Sequence, residues 1–134
     1  MLEAITAMAS VIGDPYLLML IAVTTVLGIV IGVLPGLGAT TGAALLLPFT
    51  LTMSPVNAIA VLATLYVSAT FAGSITAILI NTPGTSAAAA TTFDGFPLAQ
   101  RGEAGRALGI AVVSSTIGGI FSIIVLCLAA PLLA

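Results

Sequence analysis

Two short stretches of this sequence hold its chemistry. Pro35-Gly36-Leu37-Gly38 runs into Ala39-Thr40-Thr41, and Asn81-Thr82-Pro83-Gly84 runs into Thr85-Ser86. In each, a Pro-Gly break is followed by hydroxyl side chains at the start of a short apolar segment. Proline removes a backbone donor and disfavours helix in the residue before it. Glycine admits backbone angles that other residues resist. A helix that restarts after such a break turns its free N–H groups and positive dipole end back toward it. This is an anion site made without a charged side chain. The candidate ligand residues are Gly36, Gly38, Ala39, Thr40 and Thr41 at the first break. At the second they are Asn81, Thr82, Gly84, Thr85 and Ser86. Thr85 or Ser86 is expected to cap the second half-helix, and Asn81 offers both an acceptor and donors.

Catalytic chemistry finds no such support. The chain has no His and a single Cys, Cys127, and no Ser or Thr has a candidate base. Cys127 lies in an apolar run and cannot form an intramolecular disulfide or a multi-Cys metal site. It reads as a small buried or lipid-facing side chain. The charged residues are Glu3, Asp14, Asp94, Arg101, Glu103 and Arg106, so no basic stripe exists for a nucleic-acid partner. Charged residues make up 4% of the chain, against about a quarter in a soluble domain. With 60% hydrophobic residues and a mean hydropathy of +1.36, the natural solvent is the lipid bilayer.

The elements that must position the two breaks follow from the apolar runs. The fold expected is all-α: a multi-span integral membrane protein with interrupted half-helices. Residues 1–134 read as a single partial transmembrane domain. Residues 1–15 form an N-terminal segment in which Leu2, Ile5, Met8, Ala9 and Ile12 recur at helical spacing, as in a helix lying at the membrane interface. Residues 16–51 hold the first span, with Tyr16 as an interfacial anchor, then the first break and a half-helix. Residues 55–93 hold the second span, the second break and a half-helix, with Ser54 as N-cap and Pro55 at the first helical position. Residues 94–104 read as a connection, with Asp94-Gly95-Phe96-Pro97 as a turn. Residues 105–130 form the final span, and the apolar end at Leu132-Leu133-Ala134 is that expected of a partial chain.

A broken helix is tolerated at membrane depth only inside protein or beside a water-filled cavity, and paired interruptions are the sequence mark of a transporter binding site. Gly28, Gly32 and Gly36 are spaced to lie on one helix face for close packing, as are Gly105 and Gly109 in the last span, where Gly118-Gly119 offer similar contacts. Glu103 and Arg106 are three apart and can pair. Arg101 and Arg106 share one connection, which the positive-inside rule places in the cytoplasm.

The run Gly28–Thr41, followed by Ala44-Leu45-Leu46-Leu47-Pro48, resembles the signature of the large membrane subunit of tripartite tricarboxylate transporters, the TctA family. Gly73–Thr85 is similar to the family's second patterned region, and Asp94–Ala99 and Gly102–Gly109 continue it. The resemblance covers the chain from about Tyr16. It implies a multi-pass permease of the bacterial inner membrane for tricarboxylates or related organic anions, driven by an ion gradient, usually sodium. It also implies two partners, a small membrane subunit and a periplasmic solute-binding protein. Carbonyls freed at the breaks, with Asn81, are the expected place for the coupling sodium. Family members are several times longer and contain two related halves. This sequence matches the first, so the resemblance implies one half of an internal-repeat transporter fold, and it lacks the later Lys-Pro-Thr-Gly-Gly-like motif. The competing expectation is a small assembly or scaffold subunit that docks helices through its glycine faces. A passive pore is a third, weakened by the lack of charged rings.

Overall fold

The computed structural model describes residues 13–133, with side chains described to Ala129. The expected interfacial segment, residues 1–15, lies almost wholly outside the described residues. Five α-helices follow: α1 (Pro15–Val33), α2 (Gly38–Thr50), α3 (Pro55–Ile80), α4 (Thr91–Gln100) and α5 (Ala104–Leu133), with a 3-10 turn, Ser86–Ala90, leading into α4. The fold is all-α, with no strand among the described residues. Among the described residues three helices, α1, α3 and α5, are long and apolar enough to cross a membrane.

Local chemistry sets the helix ends. Asp14 caps α1, its carboxylate accepting the Tyr16 N–H at 2.9 Å, and Pro15 fills a first-turn position where no N–H is needed. Pro35 forces Leu34 into extended backbone, and α1 stops at Val33. Ser54 caps α3 through the Asn57 N–H at 3.4 Å, again with proline in the first turn. At its other end Asn81 takes the left-handed conformation, φ 58°, and the Asn81 and Thr82 N–H groups both turn back to the Thr76 carbonyl.

The core is the seam between α1 and α3. In lipid there is no hydrophobic drive between helices, so close backbone approach must hold them together. Gly28 and Gly32 supply it on α1. A Cβ on Gly28 would fall on the Ser68 hydroxyl, and one on Gly32 on the Ala69 carbonyl. The α3 face they meet is built largely of small side chains, with Ser68, Ala69, Ala72, Gly73, Thr76 and Ala77 buried. Ser68 satisfies its own hydroxyl by donating to the Thr64 carbonyl at 2.7 Å. Gly42 brings α2 against Ile31 of α1 and Leu65 of α3.

Three expectations change. Gly36 is not a packing residue: it lies beyond the end of α1 with φ +91° and open space around it. A Cβ added at Gly105, Gly109, Gly118 or Gly119 would meet nothing within 4 Å among the described residues beyond its own helix backbone. α5 packs on α3 and α4, and its side chains from Val112 to Leu128 are exposed. The turn at Asp94–Pro97 is the middle of α4, so the connection over 94–104 shrinks to Arg101–Glu103, with Gly102 at φ +83°. Gly95 is buried against Ile78 of α3, where a Cβ would come within 2.7 Å of the isoleucine. That packing outweighs the helix-breaking tendency of Gly95 and Pro97. After the connection, Arg106 and Glu103 pair at 2.9 Å on the exposed surface.

The α1–α3 seam should be intolerant of bulk. Gly32→Leu is expected to cost at least about 1–3 kcal/mol. Val30→Leu, on the exposed side of the same helix, should change little. Thermal unfolding of the detergent-solubilised protein measures both, and equal midpoints would contradict this account of the seam.

Candidate functional site

The two breaks are far apart in sequence and converge in space. The first spans Pro35–Gly38 and the second Asn81–Ser86, and residues of both border one cavity of about 260 Å³. Gly36, Gly38, Ala39, Thr40 and Thr41 line it from the first break. Gly84, Thr85 and Ser86 line it from the second. α3 closes it with Tyr66 and Thr70.

The first break gives the cavity an uncapped helix start. Gly36 and Gly38 take φ +91° and +63°, which turn the chain from α1 into α2. Leu37 stands at the N-cap position of α2, and no side chain caps the helix. The first-turn N–H groups therefore lack an intrahelical acceptor and a side-chain substitute. Thr40 and Thr41 are exposed beside them. The cavity lining contains no charged side chain.

The second break is held by backbone. The Gly84 N–H donates to the Gly73 carbonyl of α3 at 3.3 Å. A Cβ on Gly84 would fall on the Gly32 carbonyl oxygen, and one on Gly73 would come within 2.9 Å of the Thr85 nitrogen. Gly32, Gly73 and Gly84 thus let the break lie against both α1 and α3. Thr85 occupies the N-cap position of the 3-10 turn, with extended backbone but no side-chain capping bond. Its hydroxyl oxygen is buried without a hydrogen-bond partner. The expected second half-helix is only this five-residue turn before α4, so it offers N–H groups rather than a long dipole.

Asn81 and Thr82 do not line the cavity. Both are exposed, and the Thr82 hydroxyl donates to the Ile80 carbonyl at 3.1 Å. Asn81 acts through its tolerance of left-handed backbone, which ends α3. Sequence reasoning misses Tyr66 and Thr70. Their spacing of four on a spanning helix is the available signal.

Apolar spanning helices, interrupted twice around a shared polar-walled cavity, define a polytopic membrane protein. The chain belongs to the tripartite tricarboxylate transporter TctA family, whose model matches residues 18–134. This family is a transporter component and not an enzyme, and a tripartite system implies partner subunits and a binding protein. An uncharacterized 52.8 kDa protein in the TAR-I ttuC' 3'region of Agrobacterium vitis is 46% identical over 112 residues. The match covers 84% of this chain and 22% of that protein, so the chain spans about a fifth of its relative. No solved structure matches the chain.

The unpartnered Thr85 hydroxyl gives a test of the site. Thr85→Val keeps the shape and removes the buried oxygen, so without ligand it should leave stability unchanged or raise it by about 1 kcal/mol. If that oxygen serves the ligand, the same variant should bind an organic anion more weakly than Thr85→Ser. Thermal unfolding with and without added citrate measures both effects.

Proposed function

We propose that this chain forms one wall of the substrate site of a secondary transporter permease for tricarboxylates or related organic anions. The cavity shared by the two breaks carries this reading. Ligand carboxylates accept hydrogen bonds from the first-turn N–H groups of α2 and from the hydroxyls of Thr40, Thr41, Thr85 and Ser86. Gly36, Gly38 and Gly84 hold the backbone in the shape this requires. A cation gradient, sodium by family resemblance, drives uptake across the bacterial inner membrane. A small membrane subunit and a periplasmic solute-binding protein complete the system.

The proposal is tested in the complete permease that carries this sequence. Thr40→Val and Thr41→Val preserve volume and remove one donor each. Each should weaken binding of radiolabelled citrate or a related anion about tenfold, in line with roughly 1.5 kcal/mol for a hydrogen bond to a charged group. Gly84→Leu should abolish uptake in protein confirmed to be in the membrane. Unchanged affinity in both threonine variants, with normal uptake by Gly84→Leu, would overturn the assignment.

A further inference from the structure

The hydroxyl groups around the shared cavity are not alike. On α3, Thr70 spends its only proton within its own helix, donating to the Tyr66 carbonyl at 2.7 Å. Thr25 on α1 and Thr116 on α5 bond the carbonyl four residues back in the same way, at 2.7 and 2.8 Å. The Thr70 oxygen therefore borders the cavity as an acceptor. The hydroxyls at the breaks differ. Thr40 and Thr41 stand in the first turn of α2, and the residues four before them, Gly36 and Leu37, lie outside that helix. Among the described residues, neither these two hydroxyls nor those of Thr85 and Ser86 make the back-bond that holds Thr70. They keep their protons as donors. The breaks thus supply the cavity with hydroxyl donors and the first-turn N–H groups of α2, and α3 supplies an acceptor.

We propose that the cavity selects organic anions that carry a hydroxyl group beside their carboxylates, with the Thr70 oxygen accepting the hydrogen bond from that hydroxyl. The inference rests on the ligand-site reading above and names the class of acid within it. An ionised carboxylate has acceptors only, so it cannot satisfy Thr70 and its oxygens repel the threonine lone pairs. A ligand hydroxyl supplies the missing donor. An acid of the same size without the hydroxyl takes the Thr70 oxygen out of water and gives nothing back. At about 260 Å³ the cavity is small enough for one ligand to reach both the donors and Thr70. The Tyr66 phenol can donate or accept, and so it favours neither kind of acid.

The test measures affinities of the complete permease, purified in detergent, by titration calorimetry. Two pairs of acids differ by one hydroxyl: citrate against propane-1,2,3-tricarboxylate, and malate against succinate. The parent should bind the hydroxylated member about fivefold more tightly, as one neutral hydrogen bond allows. Thr70→Val keeps the shape and removes the acceptor. It should bring the ratio near one by weakening the hydroxylated member alone, and Thr70→Ser should retain the preference. Equal affinities in the parent, a ratio untouched by Thr70→Val, or equal weakening of both members would each overturn the inference. Equal affinities that fall together in Thr40→Val would refute the hydroxyl selection and leave the ligand site standing. Failure of all four acids to bind would refute both.

Discussion

The contact on which the rest depends is the three-way approach of backbone at Gly32, Gly73 and Gly84. An interrupted helix exposes N–H and C=O groups that lipid cannot satisfy. Here the Gly84 N–H finds the Gly73 carbonyl, and the absence of side chains at all three positions lets α1, α3 and the break share one junction. A Cβ at Gly32 or Gly84 would meet backbone, which cannot rotate away as a side chain can. The close α1–α3 seam and the position of Thr85 at the cavity are therefore parts of one arrangement.

The spans and their interruptions are legible in the sequence because they rest on strong local signals. Pro15, Pro35 and Pro55 act where the chain enters or leaves a helix, and Asp14 and Ser54 supply caps. Most residues that line the shared cavity are legible for the same reason. Asn81 and Thr82 lie off the cavity lining, and the backbone of Asn81 ends α3.

Asp94–Pro97 shows the opposite error. Local propensity marks Gly95 and Pro97 as breakers, but Gly95 packs on Ile78 inside α4. Thr91, Asp94, Gly95 and Leu98 fall at helical spacing and line one cavity. That periodicity is present in the sequence, and the stronger turn signal masks it. The hydroxyl series on α3 is likewise readable only once a cavity gives its face a meaning.

A cavity walled by neutral donors suits a transported anion better than a fixed cationic pair would. Transport needs binding strong enough to select and weak enough to release. Backbone N–H groups and hydroxyls supply direction without a permanent opposite charge, so the hold on the proposed anion stays reversible.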